Sequence, residues 1–310
     1  MTTWQQRTIR REIGCTGVGL HTGERIALKL KPADPDSGIR FVRADLDSRP
    51  EIPACLECVA DTRLATTLAE GGNRISTVEH LLAALRGMGV DNATVDVDGP
   101  EVPIMDGSAG PFVALISDAG VREQNCPRNF IIIEKPISVH DGEKSVAIAP
   151  SNGFEIKYTI DFDHPLLRRQ SLSMSISKRT FQKKICRART FGFLKEVEYL
   201  WNNGLALGGS LENAVVIDDS RILNEGGLRY PDEFVRHKIL DFIGDVSLLG
   251  LPLLGACTVY KSGHALNHSL IRRLCDSPTH YRVGRLDEII PGMDRSAPQR
   301  LFPLVRPAAA

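Results

Sequence analysis

The stretch FVRHKILDFIGD, residues 234–245, combines an apolar helix pattern with ionisable side chains at regular spacing. Pro231 and Asp232 precede it, and both residue types are common at the start of a helix. We therefore predict a helix from Asp232 to Leu249. Apolar residues share one stripe of this helix at a spacing of 3.6 residues. They are Val235, Ile239, Phe242, Ile243, Val246 and Leu249.

His237, Asp241 and Asp245 lie on a different side of this helix, because residues four apart differ by about 40° around the axis. One interpretation is a solvated polar face that carries an i,i+4 His–Asp pair. The alternative is that His237 and Asp241 bind one metal ion, since a histidine and a carboxylate one turn apart are suitable neighbouring ligands. Two ligands do not form a site, so the metal hypothesis requires a third ligand elsewhere.

The composition is typical of a globular protein with enough residues for two domains: 310 residues, 42% hydrophobic and 25% charged. Lys plus Arg and Asp plus Glu both number 38, so the zero net charge gives no indication of a nucleic-acid partner. The N-terminal segment lacks an apolar signal core, and no run of about 18 apolar residues follows. We therefore expect a cytoplasmic protein without an integral membrane segment.

The seven cysteines are expected to be reduced thiols, because their number is odd and no signal sequence is recognised. Cys55 and Cys58 form a C-x-x-C motif, but no second pair completes a zinc ribbon. The residues after the motif do not have a good helix pattern, which a redox motif requires. We interpret the cysteines as structural or incidental.

Two runs of elements in the same order follow one another along the chain. Each contains several strands, then a helix, a strand, a loop and another helix. The polar segment EQNCPRN, residues 123–129, is predicted to be a turn-forming boundary, and a further helical region is predicted at roughly 178–203. The pattern indicates an α+β fold of two similar domains, residues 1–126 and 127–310. The proline-containing tail after Cys275 either adds a strand or has no regular structure.

The amphipathic helix of the first run supplies a candidate third ligand, His80. Glu79 beside it completes the pattern S-T-V-E (76–79), which is typical of a capping box. If the helices of the two halves face each other, His80, His237 and Asp241 form a His₂Asp set that leaves one tetrahedral position for water. Glu79 is then either a capping residue or the general base for that water.

Three further residues are candidates around such a site. Asp245 lies about 12 Å along the helix axis from His237, so we expect it to orient other groups rather than bind the ion. His264 lies in a Gly-containing loop between a strand and a helix, where functional residues are frequent, although an ordinary helix N-terminal residue is the alternative. Thr190 lies at a segment junction, and its motif alone indicates little.

At this point the sequence resembles the UDP-3-O-acyl-N-acetylglucosamine deacetylase family, the zinc amidases that commit material to lipid A synthesis. The matching stretches are long and distinctive and run almost from end to end. They are TGVGLHTG (16–23), ISTVEHLLAAL (75–85), PEVPIMDGSAGPF (100–112), RARTFGF (187–193), NEGGLRYPDEFVRHKILDFIGD (224–245) and YKSGHALN (260–267). The resemblance implies two α+β domains, each layering a small sheet against helices, with the active site between them.

The resemblance also implies roles for individual residues. By position, His80, His237 and Asp241 correspond to the ligands of Zn²⁺. Glu79 corresponds to the general base, and His264 to the residue that stabilises charge or protonates the leaving amine.

Further positions correspond to groups that orient the reaction or bind the substrate. Asp245 corresponds to the partner of His264, Thr190 to a hydroxyl on the oxyanion side, and Lys238 to a substrate contact. Phe191 and the insert at about 194–215 correspond to the acyl-chain passage and sugar platform. Lys144 corresponds more weakly to a contact with the nucleotide phosphates.

One stretch departs from the family pattern. Some members carry a cysteine near the start of the strand that corresponds to LATTL, where it can bind an extra, inhibitory metal. Ala65, Thr66 and Thr67 occupy that stretch here, so we do not expect a second metal site that uses this thiol.

The resulting prediction is hydrolysis of the N-acetyl group of UDP-3-O-(3-hydroxyacyl)-N-acetylglucosamine by a monomer. One alternative is a zinc amidase for another acylated amino sugar. Another is a non-haem iron oxygenase, since two histidines and a carboxylate also bind Fe(II), but this leaves Glu79 unexplained. The third is a non-catalytic nucleotide-sugar binding protein, which does not need a metal triad together with Glu79 and His264.

Overall fold

The structure, a computed structural model, describes residues 4–289 of the chain. The first half contains ten strands and two helices among these residues. Its strands are β1 Gln5–Ile9, β2 Ile13–Val18, β3 Arg25–Pro32, β4 Ile39–Arg43, β5 Glu51–Pro53, β6 Val59–Asp61, β7 Thr67–Glu70, β8 Asn73–Ile75, β9 Ala93–Val97 and β10 Val121–Pro127. Its helices are α1 Glu79–Met88 and α2 Gly110–Ala119.

The second half has nine strands and five helices up to residue 289. Its strands are β11 Phe130–Ile133, β12 Ile137–Asp141, β13 Lys144–Ala149, β14 Phe154–Ile160, β15 Gln170–Ser175, β16 Phe191–Phe193, β17 Val215–Ile217, β18 Leu253–Tyr260 and β19 Tyr281–Gly284. Its helices are α3 Lys178–Thr180, α4 Leu194–Asn202, α5 Glu233–Val246, α6 His264–Cys275 and α7 Leu286–Ile289.

The two halves repeat one sheet topology, which confirms the prediction of two similar α+β units. In the first half the strand order is β2-β3-β9-β4-β5, with β9 antiparallel to β3 and parallel to β4. In the second half β12, β13, β18, β14 and β15 pair in the equivalent order, and β18 is antiparallel to β13 and parallel to β14. The element series α1-β9-α2 corresponds to α5-β18-α6.

The helix predicted from Asp232 to Leu249 is confirmed, since α5 begins at Glu233 and a 3₁₀ turn extends it to Leu249. Its polar side does not face water. His237, Asp241 and Asp245 are at most 4% exposed, because α1 packs along α5, and α6, which begins at His264, packs against α5 beside Asp245. The interpretation of a solvated polar face is therefore wrong.

Gly244 explains how closely α1 and α5 approach each other. A Cβ atom at this position would lie 2.2 Å from the carbonyl oxygen of Glu79. Any side chain there would push the first turn of α1 away from α5. The glycine therefore brings residues from both halves into one buried region.

Residues 123–129 differ from the prediction of a turn, because most of them form β10, which pairs antiparallel with β1. Gln124 is buried, accepts a hydrogen bond from the Asn92 amide and donates one to the Ala33 carbonyl oxygen. Gln124, one of the polar residues that favoured a turn, is therefore satisfied by distant partners.

The helical region predicted at 178–203 is interrupted. After α3 and a π-helical turn at Phe181–Ile185, the chain becomes extended in β16 before α4 begins. The parallel pairing of β16 with β17 holds these residues extended, and this long-range contact has no local sequence pattern.

The tail after Cys275 adds a strand, β19, which pairs antiparallel with β11. Residues 290–310, with most of the prolines of this tail, lie outside the described residues. Among the helices formed by residues 4–289, none has both the length and the apolar composition that crossing a bilayer requires.

Candidate metal centre and active site

Three candidate ligands, which we call the metal cluster (His80, His237 and Asp241), converge where α1 packs against α5. The Nε2 atoms of His237 and His80 lie 3.1 and 3.5 Å from Oδ1 of Asp241. One nitrogen or oxygen atom from each residue lies within 4.8 Å of the others, and all three side chains are buried. The structure thus brings together the three residues that the sequence suggested.

The hydrogen bonds of the metal cluster leave free the atoms that an ion needs. Asp241 Oδ1 is buried and has no hydrogen-bond partner among the described residues, while Oδ2 accepts a hydrogen bond from Lys238 at 2.8 Å. His237 donates from Nδ1 to the Ala188 carbonyl oxygen at 3.1 Å, which leaves the lone pair on Nε2. Two imidazoles and a carboxylate form a donor set suitable for a catalytic zinc ion.

The charges in this region also suit a metal ion. Burial by itself raises the pKa of Asp241, but His237 and Lys238 hold it well below its usual range. Burial lowers the pKa of His80. The aspartate is therefore ionised and His80 is neutral near pH 7, which are the forms that bind metals.

Glu79 is the first residue of α1 and does not belong to a capping box. Val78 occupies the N-cap position, and no side-chain hydrogen bond caps the helix, so the capping interpretation is wrong. The Glu79 carboxylate instead accepts a hydrogen bond at Oε2 from the backbone N–H of Thr66 at 3.1 Å. Burial raises the pKa of Glu79 to about 7, which suits a group that exchanges a proton near neutral pH.

His264 is the first residue of α6, directly after Gly263. Its Nδ1 donates to Oδ2 of Asp245 at 2.9 Å, and its Nε2 lies 3.9 Å from Oε1 of Glu79. Burial by itself lowers the pKa of His264, but the Asp245 carboxylate raises it to about 9. His264 is therefore an imidazolium at neutral pH, with Nε2 directed towards the same region as Glu79.

Asp245 is fully buried and is held by residues that sequence reasoning did not assign. The Thr66 hydroxyl donates to Oδ1 at 2.7 Å, the Asn267 amide donates to Oδ2 at 2.8 Å, and His268 Nε2 lies 3.4 Å from Oδ1. Asn267 and His268 follow His264 by three and four residues on α6, a spacing that the sequence does display. Thr66 has no such signal, because its contacts all come from distant segments.

We call these residues the proton network: Glu79, Asp245 and His264, with Thr66, Asn267 and His268 around them. Its two carboxylates come from different halves of the chain. The metal cluster and the proton network therefore both depend on the contact between α1 and α5.

The segment that contains Thr190 lies against the metal cluster, since Ala188 accepts the hydrogen bond from His237. Arg189 anchors this segment: its backbone N–H and its Nε both donate to Oε1 of Glu233, at 2.9 Å each. Glu233 is fully buried at the first position of α5. Sequence reasoning missed this pair, because an acidic residue in the first turn of a helix is ordinary.

Phe191 and Lys238 lie beside the metal cluster. The Phe191 ring centroid is 6.2 Å from that of His237 and 5.0 Å from that of Phe234. The Lys238 ammonium lies 5.8 Å from the Phe191 ring centroid and also donates to Asp241. Both residues thus adjoin members of the metal cluster, Phe191 next to His237 and Lys238 next to Asp241.

The insert at about 194–215 begins with α4 and exposes apolar side chains. Those that are between 45% and 69% exposed are Leu194, Tyr199, Trp201, Leu207 and Leu211. The backbone N–H groups of Leu207 and Gly208 donate to the carbonyl oxygens of His21 and Leu20. This part of the insert is therefore attached to the first half of the chain.

Lys144 is not joined to this region by a direct contact. It is the exposed first residue of β13 and pairs with Asp141 across the turn from β12. Within residues 4–289 it forms no hydrogen bond or ion pair with the metal cluster or the proton network.

Comparison with known proteins gives one consistent result. A model of the UDP-3-O-acyl N-acetylglycosamine deacetylase family matches residues 6–276. Three relatives carry the name UDP-3-O-acyl-N-acetylglucosamine deacetylase. The relative from Anaeromyxobacter sp. (strain Fw109-5) is 54% identical over 92% of this chain and 93% of its own length. The relative from Myxococcus xanthus (strain DK1622) is 56% identical over 91% of this chain and 90% of its own length. The relative from Methylococcus capsulatus (strain ATCC 33009 / NCIMB 11132 / Bath) is 57% identical over 87% of this chain and 90% of its own length.

Proposed function

This chain belongs to the UDP-3-O-acyl N-acetylglycosamine deacetylase family, and we propose that it hydrolyses the N-acetyl group of UDP-3-O-(3-hydroxyacyl)-N-acetylglucosamine. The products are UDP-3-O-acyl-glucosamine and acetate, and the reaction is the committed step of lipid A biosynthesis. The observation that carries the proposal is the buried metal cluster, which adjoins an acid–base pair, Glu79 and His264. Amide hydrolysis needs both functions, because water must lose a proton and the leaving amine must gain one.

The proposed ion is Zn²⁺, held by His80, His237 and Asp241. When bound, it would polarise the acetyl carbonyl and lower the pKa of a water molecule. The protein orients these ligands: Ala188 sets the tautomer of His237, and Lys238 holds the second oxygen of Asp241.

Glu79 takes the proton from the attacking water. Its Oε2 is held by the Thr66 N–H, so Oε1 is the oxygen available to the proton. Burial favours the neutral form of this carboxyl group, which makes it a stronger base than an exposed glutamate. A base of this strength is suitable for proton transfer at neutral pH.

His264 balances the negative charge that develops on the acetyl oxygen or gives its Nε2 proton to the departing sugar amine. Asp245 keeps the imidazole cationic and in one orientation through the Nδ1 hydrogen bond. Thr190 is proposed to donate its hydroxyl to the same developing oxyanion.

Substrate recognition is assigned to groups around the metal cluster. Lys238 and Phe191 contact the substrate, and the apolar side chains of the insert at about 194–215 line the acyl-chain passage and sugar platform. Lys144 remains a proposed contact for the nucleotide phosphates. Lys144 is exposed at the start of β13, so this contact forms only if the diphosphate group of the substrate extends as far as that strand.

We further propose that residues 1–126 form the domain that supplies Glu79 and His80. Residues 127–310 form the domain that supplies His237, Asp241, His264 and the insert. All proposed groups belong to one chain, which is consistent with a monomer. A nucleotide-linked substrate favours a cytoplasmic location, and zero net charge does not favour a nucleic-acid partner.

Elemental analysis combined with an acetate-release assay tests this proposal. We expect about one zinc ion per chain and stoichiometric acetate from the UDP-linked acyl sugar. Acetate from a different acylated amino sugar alone would favour the broader amidase. Binding of the UDP-sugar without acetate release, by metal-loaded protein, would favour a non-catalytic binding protein.

A further inference from the structure

Thr66 contacts both carboxylates of the proton network, although it lies outside the helices that carry them. Its backbone N–H donates to Oε2 of Glu79 at 3.1 Å, and its hydroxyl donates to Oδ1 of Asp245 at 2.7 Å. Its carbonyl oxygen accepts a hydrogen bond from Val78 N at 3.3 Å, immediately before α1. Thr66 itself is fully buried. One residue thus connects Glu79 on α1 with Asp245 on α5.

The hydroxyl of Thr66 can be assigned a direction. A threonine hydroxyl has one proton and two lone pairs, and the ionised Asp245 carboxylate can only accept, so the proton points to Oδ1. His268 Nε2 lies 3.2 Å from the hydroxyl oxygen and is suitably placed to donate to it. His268 Nδ1 is buried and has no hydrogen-bond partner among the described residues, so Nε2 is the ring nitrogen that faces the Thr66 hydroxyl and Asp245.

Glu79 and His264 do not form a direct hydrogen bond, since Oε1 and Nε2 are 3.9 Å apart. Glu79 accepts a hydrogen bond from the Thr66 backbone N–H, and His264 donates one to Asp245. Asp245 in turn accepts a hydrogen bond from the Thr66 hydroxyl. This arrangement keeps a base and an acid close together without allowing them to neutralise each other through a short contact.

We propose that Thr66 is a positioning residue of the deacetylase reaction, which fixes the distance between Glu79 and His264 through its amide and its hydroxyl. The inference rests on the proposed function, because it assumes that Glu79 and His264 both transfer protons. The side-chain hydrogen bonds of Thr66 go to the proton network and not to the metal cluster, so we expect its hydroxyl to act on the rate and not on the binding of the ion.

The ionisable groups around His264 are Glu79 and His80 on α1, Asp241 and Asp245 on α5, and His268 on α6. Tyr158 on β14 is also close to Asp245, but its hydroxyl donates to the Ser262 carbonyl oxygen. Removing the Thr66 hydroxyl leaves Asp245 with one hydrogen-bond donor fewer. The carboxylate then becomes more basic and holds the His264 proton more strongly.

The test compares Thr66→Val with Thr66→Ser and with a matched control, Thr67→Val. Valine has the shape of threonine and keeps the backbone N–H but lacks the hydroxyl, whereas serine restores it. Thr67 is the next residue and is also buried, but its hydroxyl bonds to Ser76 and not to the proton network. Zinc content, kcat, KM and the pH dependence of kcat/KM are measured for each variant.

We expect Thr66→Val to keep full zinc content and a KM within about twofold, with kcat reduced by about ten- to a hundredfold. Its alkaline limb should move to higher pH, while Thr66→Ser and Thr67→Val stay within about threefold of the wild-type kcat. Equal kcat and equal pH profiles for Thr66→Val and Thr67→Val would overturn the proposal. If Thr66→Val does not fold, Thr66→Ala removes the same hydroxyl without adding a methyl group in its place. Failure of both to fold would show that the fold, not the reaction, requires the hydroxyl, and would also overturn the proposal.

The unmodified protein is assayed first. Absence of acetate release from the zinc-loaded wild-type protein would count against the proposed function. An active wild-type enzyme with an equally active Thr66→Val variant would count against the role of Thr66 alone.

Discussion

The metal cluster and the proton network share α5 but differ in how their aspartates are satisfied. In the metal cluster, Asp241 Oδ1 is buried without a hydrogen-bond partner among the described residues. In the proton network, both oxygens of Asp245 accept hydrogen bonds. An unsatisfied buried polar atom costs free energy unless a ligand completes it. One turn of α5 is thus arranged for an ion and the next turn for holding a proton.

The largest effect is expected for variants that remove one ligand of the metal cluster. Asp241→Ala removes the carboxylate that faces both imidazoles and leaves Lys238 without its partner, so most zinc should be lost. We expect His80→Ala and His237→Ala to lose zinc as well, with kcat/KM at least about a thousandfold lower in each variant. Elemental analysis checks this expectation, and a folded variant that retains stoichiometric zinc would remove its residue from the cluster.

A second expected effect separates the proton network from the metal cluster. Asp245→Asn removes the charge that raises the pKa of His264 to about 9. Burial, which lowers that pKa, then dominates, so the alkaline limb of kcat/KM should move to lower pH while zinc content is unchanged. If the alkaline limb of kcat/KM lies at the same pH in Asp245→Asn and in the wild type, the protonation of His264 does not control the rate.

The same pKa shift predicts how stability depends on pH. Protonated His264 contributes stability that is fully present below its unfolded pKa of about 6.5 and is lost as the pH rises through about 9. As the pH rises from about 6.5 to about 9, the free energy of unfolding should therefore fall less for Asp245→Asn than for the wild type. Denaturant titrations at several pH values measure this difference, and parallel curves for the two proteins would contradict it.

The smallest expected effect concerns groups outside both regions. A substrate without the 3-O-acyl chain loses contact with the apolar insert, so kcat/KM should fall by about tenfold or more, because remote binding energy positions the amide. Kinetics with the two substrates measure this effect. Equal efficiency would favour a plain amino-sugar amidase and leave the exposed side chains of α4 without a role in binding.

The sequence predicted the metal cluster better than its surroundings, and the reason is physical. The i,i+4 spacing of His237 and Asp241 places two side chains together on any helix, so local geometry was sufficient. The same periodicity identified the apolar side of α5 but could not show that α1 covers the other side. That contact depends on Gly244, which the sequence does not distinguish from other glycines.

Interactions between distant segments were the ones that sequence reasoning missed or misassigned. The S-T-V-E pattern favoured a capping role for Glu79, but Thr66, the residue before β7, offers the carboxylate a better-placed donor. Residues 123–129 have turn-forming composition, yet pairing with β1 makes them a strand. In both cases tertiary contacts override a local preference.

The most direct test of the separation between the two regions is the Glu79→Gln variant. Glutamine keeps an oxygen that can accept the Thr66 N–H but cannot take a proton at neutral pH. We predict near-stoichiometric zinc, a melting temperature within a few degrees of the wild type, and kcat reduced by at least about a hundredfold. A Glu79→Gln enzyme that keeps more than about a third of the wild-type kcat would contradict the account and leave His264 as the remaining candidate for proton transfer.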